Sequence, residues 1–190
     1  MKKYKINEIF YSIQGEGFHT GTPAVFIRFA GCNLKCDFCD TDHTEVKKEL
    51  SAADILAEIQ MYPSPIVILT GGEPTLQIDE HLIKALKMQG RMVHVETNGT
   101  IALNSELRWS IDWVTLSPKT KEVKQTTCNE LKIVFDGDIQ KIGEYEIDIF
   151  AKYKYLQPMS QSNTNEVIKF IKANPQWKLS AQVHKLSNIQ

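Results

Sequence analysis

Apolar and polar residues alternate along the chain in two distinct patterns, which predict strands and helices. Short, nearly continuous apolar runs bounded by Gly, Pro, Asn or Asp are typical of buried strands. The runs of this kind are Ala24–Phe29, Ile66–Leu69, Met92–Glu96, Trp113–Leu116, Leu131–Phe135, Lys154–Leu156 and Lys178–Val183.

Longer amphipathic stretches between these runs predict helices. Ser51 suits the N-cap of one helix, with Asp54 at the capping-box position. Two further helices are predicted from Asp79 to Gln89 and from Asn163 to Ala173, followed by a Gly and a Pro that stop them. Apolar strands that alternate with helices favour a parallel sheet, so the fold class is α/β.

The length of the chain limits the architecture of this α/β fold. A complete eight-unit barrel takes about 250 residues and at least about 200, whereas this chain has 190. No repeat, low-complexity tract or Ser/Gly linker divides it. We therefore expect one domain over residues 1–190, with an open sheet or a partial TIM-like barrel.

Polar clusters follow most of the predicted strands. They are Cys32–Cys39, Thr70–Pro74, Glu96–Gly99, Ser117–Lys119, Gln157–Ser160 and His184. Turns in any fold are polar and rich in Gly and Pro, but turns do not require Glu, Thr and Lys at these positions. Because the carboxyl ends of parallel strands point to one side, we expect these clusters to form a ligand-binding site.

Composition and charge narrow the class of partner. The longest uninterrupted aliphatic run, Ile66–Leu69, is far shorter than the ~20 residues of a membrane span. The first ten residues lack the apolar core of a signal peptide, so we expect a cytoplasmic protein. The net charge is −1 and no dense basic run occurs, which argues against nucleic acid as a partner.

Three of the four cysteines, Cys32, Cys36 and Cys39, lie within eight residues. In a reducing compartment, such crowding favours metal or redox chemistry over disulfides. Three thiolates suit a four-iron cluster that keeps one iron open for a small molecule. A zinc site completed by His43 is the alternative, as are three cysteines without a ligand. Cys128 stands alone and is expected to be structural.

The cysteine spacing carries a resemblance to a known superfamily. The pattern Cys32-x3-Cys36-x2-Cys39, with Phe38 before the last Cys, is followed by Gly71–Pro74 after the next predicted strand. These two motifs together resemble the radical S-adenosylmethionine (radical SAM) superfamily. The resemblance implies a 4Fe-4S cluster, SAM bound at the open iron, and a 5′-deoxyadenosyl radical that abstracts a hydrogen atom from substrate.

Further segments are similar to one family of that superfamily, 7-carboxy-7-deazaguanine synthase. Ser12–Gly17, Arg28, Asp40-Thr41 and Glu96–Gly99 match it, and the similarity runs from about residue 7 to the end. It implies a lyase that converts 6-carboxy-5,6,7,8-tetrahydropterin to 7-carboxy-7-deazaguanine with loss of ammonia, towards queuosine-type 7-deazapurines. It also implies a homodimer, a flavodoxin-type reductant and a Mg²⁺ ion held by Thr41.

The same resemblance assigns roles to individual residues. The positions expected to contact SAM are Phe38, Cys39, Asp40, Gly72, Asn98, Ser117, Pro118, Lys119, Gln157, Pro158, Met159 and Ser160. The positions expected to contact the pterin substrate are Ile13, Gln14, Gly15, Glu16, Arg28, Thr70, His184 and the terminal residue Gln190. Members of the family often end in Pro, so the Gln at position 190 departs from their pattern.

Simpler interpretations of several of these residues stay open at this point. Arg28 also suits a surface ion pair, Glu16 a turn, His184 a core position and Thr41 a turn cap. Glu73 either braces its loop or touches SAM. For the whole chain, the alternatives are a glycyl-radical activating enzyme, which would not need Arg28, and a non-enzymatic Cys3His zinc module.

Overall fold

Strands and helices alternate along most of the chain, as the apolar pattern predicts. The computed structural model describes residues 2–39, 41–159, 162–187 and 189. The strands are β1 (Tyr4–Ile13), β2 (Pro23–Phe29), β3 (Lys48–Leu50), β4 (Ile66–Gly71), β5 (Met92–Thr97), β6 (Trp113–Leu116), β7 (Thr127–Phe135), β8 (Phe150–Pro158) and β9 (Trp177–Leu179). The helices are α1 (Ala52–Ile59), α2 (Glu80–Met88), α3 (Ser105–Ser110), α4 (Ile139–Glu146), α5 (Thr164–Ala173) and α6 (Val183–Leu186).

The chain divides into two compact units. The first comprises the residues up to Ser12, Pro23–Thr97 and Leu103–Val114. The second comprises Ile13–Thr22, Asn98–Ala102 and the residues from Thr115 onward. The expectation of a single domain over residues 1–190 stays a prediction.

The first unit is built on strands in the order β3-β1-β2-β4-β5. β2, β4 and β5 run parallel, with Ile27 beside Leu69 and Leu69 beside Val95. β3 pairs antiparallel with β1. The parallel pairing of the apolar strands is confirmed, and it follows from burial on both faces of β2 and β4, where side chains are apolar at successive positions.

Two helices of this unit begin where the sequence predicts. Ser51 and Asp54 form a reciprocal capping box at the start of α1. Asp79 caps α2 by accepting a hydrogen bond from the Leu82 N–H at 3.0 Å. Both helices place apolar faces in the core, and Leu82 and Ile55 are fully buried there.

The second unit contains the carboxyl half of β6 followed by β7, β8 and β9, all parallel. Leu116 lies beside Leu131, Ile133 beside Leu156, and Leu156 beside Leu179. The interior of this sheet is apolar except at a few positions of β7 and β8, where Glu130, Lys132 and Gln157 are buried.

The structure also corrects the sequence-based boundaries. The predicted strand Lys178–Val183 is wrong for most of its length, because β9 ends at Leu179 and Val183 begins α6. β1, β3, α3, α4 and α6 were not predicted, and β7 and β8 are longer than their apolar runs. Among the described residues, no helix has both the length and the apolar character that crossing a membrane requires.

Candidate active site

The three clustered cysteines lie on the loop that follows β2. Cys32 and Cys36 are half-buried, Cys39 is exposed, and none of the three is in a disulfide. A turn joins the last two, since the Cys39 N–H donates to the Cys36 carbonyl at 3.1 Å. The Leu34 N–H donates to Cys32 Sγ at 3.4 Å. Phe38 is 40% exposed on the same loop.

This loop has the donor set of an iron–sulfur site without a preformed cage. Within the described ranges, no three His, Cys, Asp or Glu side chains are placed to hold a metal ion together. Three accessible thiols on one short loop nevertheless fit a cluster, because thiolates are its usual ligands and binding orders the ligands that hold the metal.

Two glycines at the end of β4, Gly71 and Gly72, support the start of the cysteine loop. The Glu73 N–H donates to the Gly31 carbonyl at 2.9 Å, and the Gly72 N–H donates to the Phe29 carbonyl at 3.1 Å. A Cβ on Gly72 would lie 2.0 Å from Gly31 O, and one on Gly71 would lie 2.3 Å from Phe29 O. Only glycine allows the two backbones to approach this closely.

Glu73 braces the end of β4. Its side chain is fully buried, and Oε1 accepts hydrogen bonds from Thr75 N at 3.0 Å, Thr75 Oγ1 at 2.6 Å and Thr97 Oγ1 at 2.7 Å. Thr97 ends β5, so the carboxylate links the ends of two neighbouring strands. Of the two roles that the sequence left open for Glu73, these contacts support bracing.

Arg28 and Thr70 occupy neighbouring positions of β2 and β4. Arg28 Nε donates to Glu8 Oε1 at 2.8 Å, and the guanidinium lies over the Phe10 ring at 5.6 Å. Thr70 Oγ1 donates to a carboxylate oxygen of Glu96 at 2.9 Å. The first unit thus brings a cation, a hydroxyl and a carboxylate to one end of its parallel strands. The ion pair with Glu8 engages Arg28 at Nε.

In the second unit, the Gln14–Glu16 segment packs against the start of α6. The Val183 N–H donates to the Gly15 carbonyl at 2.9 Å. A Cβ on Gly15 would lie 2.1 Å from His184 Nδ1, so glycine lets the histidine ring lie against the backbone. Gln14 is buried and its Oε1 accepts from the Glu16 N–H at 3.1 Å, whereas Ile13 is 39% exposed. Four of the predicted substrate contacts, including His184, therefore lie together.

Glu16 is held by two residues that the sequence did not single out. Lys132 Nζ donates to Glu16 Oε2 in a short ion pair, and Gln182 Nε2 donates to Oε1 at 2.9 Å. Burial alone would raise the pKa of Glu16. The charge and hydrogen bond of Lys132, helped by the Gln182 hydrogen bond and the charge of His184, outweigh burial and hold that pKa below its usual value.

The predicted SAM contacts of the second unit follow β5, β6 and β8. Asn98 is buried, and its Oδ1 accepts from Thr100 N at 2.9 Å and Thr100 Oγ1 at 2.7 Å. Lys119 Nζ donates to Ser117 Oγ at 2.7 Å, across Pro118. These contacts shape local turns and leave the role of each side chain towards SAM a prediction.

The strand end at β8 is organised around Gln157. This residue is buried, and its Oε1 accepts from Ser180 Oγ at 3.1 Å. Beyond Pro158, the Met159 N–H donates to Asn163 Oδ1 at 3.0 Å, ahead of α5.

Thr41 is half-buried directly after the cysteine loop, and its carbonyl lies 3.6 Å from Cys39 Sγ. Three predicted contacts, Asp40, Ser160 and Gln190, lie outside the described residues.

Comparisons with known proteins show the family to which the chain belongs. Residues 26–122, which include the cysteine loop and the Gly71-Gly72 segment, match the model of the radical SAM superfamily. The chain is 51% identical to a 7-carboxy-7-deazaguanine synthase from Bacteroides thetaiotaomicron, over 98% of each chain. It is 39% identical to a protein of the same name from Burkholderia multivorans, over 98% of this chain and 99% of that one.

A solved structure extends the likeness to the fold. The crystal structure of QueE from Escherichia coli superposes with a TM-score of 0.80 at 32% sequence identity, and the match covers 96% of this chain and 95% of that one. The α/β class with a partial TIM-like barrel of parallel strands is therefore confirmed. With this agreement in sequence and fold, the chain belongs to the 7-carboxy-7-deazaguanine synthase family of the radical SAM superfamily.

Proposed function

We propose that this protein converts 6-carboxy-5,6,7,8-tetrahydropterin to 7-carboxy-7-deazaguanine and ammonia. The observation that carries the proposal is the similarity to synthases of that name over 98% of the chain, at up to 51% identity. The cysteine loop and the two glycines that support it occur within the same match. Neither a glycyl-radical activating enzyme nor a zinc module is favoured by these relatives.

Cys32, Cys36 and Cys39 would hold the 4Fe-4S cluster that the superfamily implies. When bound, the cluster and SAM supply the radical that removes a hydrogen atom from the substrate. The chain's own contribution is to fix the loop against Gly72 and to place polar groups from the strand ends around SAM. The residues proposed to contact SAM are Phe38, Cys39, Asp40, Gly72, Asn98, Ser117, Pro118, Lys119, Gln157, Pro158, Met159 and Ser160.

The substrate carries a carboxylate and a flat pterin edge of hydrogen-bond donors and acceptors. Arg28 is suited to the carboxylate, since a guanidinium binds it in a forked geometry. Glu16, ionised in its contact with Lys132, is suited to the N–H groups of the pterin. Thr70, His184, the Ile13–Gly15 backbone and Gln190 would complete the contacts.

The remaining components of the proposal come from the family. Thr41 would supply one hydroxyl to a Mg²⁺ ion that keeps waters and substrate oxygens as its other ligands. A flavodoxin-type protein would deliver the electron, and the enzyme would act as a cytoplasmic homodimer without nucleic-acid partners.

Anaerobic turnover tests the proposal. The protein is reconstituted with iron and sulfide and incubated with SAM, a reductant and the tetrahydropterin, and the product is identified by mass. We expect 7-carboxy-7-deazaguanine, and Cys36→Ala should abolish both the product and SAM cleavage. SAM cleavage without a deazapurine would contradict the substrate assignment and leave an activating enzyme as the better interpretation. A colourless protein with one zinc and no iron would contradict the radical chemistry altogether.

A further inference from the structure

Lys132 is a buried cationic residue within the apolar run Leu131–Phe135 of β7. It lies on β7 between Leu131 and Ile133, which are both buried, and only 8% of its own side chain is exposed. A buried ammonium group costs free energy unless it is paired, because it loses its hydration. The partner is Glu16, 116 residues earlier in the chain.

The two members of the pair differ in accessibility. The Glu16 side chain is 16% exposed, twice the value for Lys132. Glu16 is therefore the more accessible member of the pair. Lys132 is placed to act on a ligand through Glu16 rather than by direct contact.

The hydrogen bonds leave the carboxylate with a defined set of acceptor positions. Oε2 accepts from Lys132 and Oε1 accepts from Gln182 at 2.9 Å. An ionised carboxylate has about four lone-pair positions, two on each oxygen. One position on each oxygen thus remains, which matches a pair of neighbouring N–H donors such as the 2-amino and N3–H groups of a pterin.

The loop that carries Glu16 is fixed to the same strand at a second point. The Phe18 N–H donates to Glu130 Oε2 at 2.8 Å, and a Cβ on Gly17 would lie 2.1 Å from Glu130 Oε1. Glu130 and Lys132 are two residues apart in β7, so their side chains leave the same face of the sheet. One face of β7 therefore holds the loop backbone through Glu130 and the Glu16 carboxylate through Lys132.

We propose that Lys132 is a positioning residue for pterin recognition, which keeps the Glu16 carboxylate ionised and oriented. This inference rests on the proposed function, since Glu16 must contact the substrate. It goes further because the residue that orients the Glu16 carboxylate, Lys132, does not itself contact the pterin. Among the described residues, the charged groups that act on the carboxylate are Lys132 from β7 and His184 from α6, and Glu130 of β7 faces the same loop at the Phe18 N–H.

Substrate binding in four variants tests the role of Lys132. The holoprotein with SAM but without reductant is titrated with the tetrahydropterin in equilibrium dialysis at pH 6.5. Glu16→Gln and Lys132→Met should each weaken binding by roughly 10- to 100-fold, the range expected for a lost charged hydrogen bond. The double variant should bind about as weakly as Glu16→Gln alone, because Lys132 acts through Glu16.

A pH series separates positioning from structural support. Raising the pH to 9 should bring the affinity of Lys132→Met closer to that of the wild type, while Glu16→Gln stays weak. Without Lys132, burial raises the pKa of Glu16, and a higher pH favours its ionised form. Lys154→Met is the matched control: Lys154 on β8 pairs with Glu146, but their side chains are 26% and 30% exposed. This variant should bind within about twofold of the wild type, since exposed pairs contribute little.

Three results would overturn the inference. They are wild-type affinity in Lys132→Met, a further loss of affinity when Lys132→Met is added to Glu16→Gln, and a loss in Lys132→Met that does not respond to pH. If Lys132→Met does not fold, the comparison of Glu16→Gln with the double variant decides alone. A wild-type protein that does not bind the pterin would instead contradict the proposed function, and the inference with it.

Discussion

Replacing Gly72 by Ala tests whether the cysteine loop rests on the backbone after β4. The new Cβ would lie 2.0 Å from Gly31 O and 2.5 Å from Gly31 C, and contacts below 3.0 Å do not occur between a Cβ and other atoms. Both atoms belong to the backbone, so no side chain can rotate away. The distance between the backbones at Gly72 and Gly31 must increase by about 1 Å, and the loop that begins at Gly31 must move with it.

The loss of folding free energy caused by this movement follows from the contacts between the two backbones. Overpacking by one methyl group costs about 1–3 kcal/mol. The hydrogen bonds Gly72 N to Phe29 O and Glu73 N to Gly31 O join the same two backbones, and losing one adds about 1 kcal/mol. We therefore expect the free energy of unfolding to fall by about 2–4 kcal/mol. For a chain of this size, that lowers the Tm by roughly 4–15 °C.

Thermal unfolding of the cluster-free protein under anaerobic conditions measures the effect. Gly143→Ala is the matched control, because Gly143 lies in α4 and a Cβ there meets no atom within 4 Å. The control should gain about 0.5–1 kcal/mol from the higher helix propensity of Ala. Gly72→Ala should also bind less iron on reconstitution, since Gly31 adjoins Cys32. An unchanged Tm and full iron content in Gly72→Ala would refute the reasoning.

Three further predictions follow from other contacts. Cys36→Ala should lose the cluster and its broad absorption near ~400 nm, whereas Cys128→Ala, at a buried position in β7, should keep the full iron content; equal iron in both would contradict the ligand assignment. Glu73→Ala should lower the free energy of unfolding in urea by about 2–4 kcal/mol, because three donors lose their acceptor; Glu73→Gln keeps an acceptor oxygen and should cost less, and similar losses would argue against bracing through Oε1. Burial alone would raise the pKa of Asp79, but hydrogen bonds from Lys2, the Leu82 N–H and Tyr4 outweigh it and hold that pKa below its usual value. The stability from Asp79 is therefore present above its unfolded pKa of ~3.9 and lost as the pH falls through the folded value. Asp79→Asn should cost about 1 kcal/mol at pH 7, and its difference from the wild type should shrink towards pH 3; a constant difference would contradict the linkage.

The apolar pattern predicted the parallel strands and the capped helices because both depend on local sequence. β2 and β4 are buried on both faces, so their apolar runs are continuous and easily recognised. β1 was not predicted because charged and polar residues interrupt its apolar ones, as in a strand with one more solvent-exposed face. The end of the predicted strand Lys178–Val183 was wrong because apolar composition alone does not show where a strand leaves its sheet. The chain leaves the sheet before Gln182, whose side chain donates a hydrogen bond to Glu16 in the site.

Only the parts of the site that carry a local sequence motif could be predicted. The cysteine spacing and Gly71–Pro74 locate the radical SAM segment, which the superfamily match confirms. Lys132 carries a weak signal, a charge within an apolar run, but its partner lies 116 residues away and no local pattern reveals the pairing. For Glu73, the sequence allowed two roles and only the contacts to Thr75 and Thr97 distinguish them.

The central claim is that this chain contracts the ring of a tetrahydropterin with loss of one nitrogen. The most direct measurement is the amount of ammonia and of 7-carboxy-7-deazaguanine formed during anaerobic turnover of the reconstituted protein with SAM and reductant. The proposed reaction predicts equal amounts of the two, both dependent on Cys36. SAM cleavage with neither product, or ammonia without the deazapurine, would contradict it.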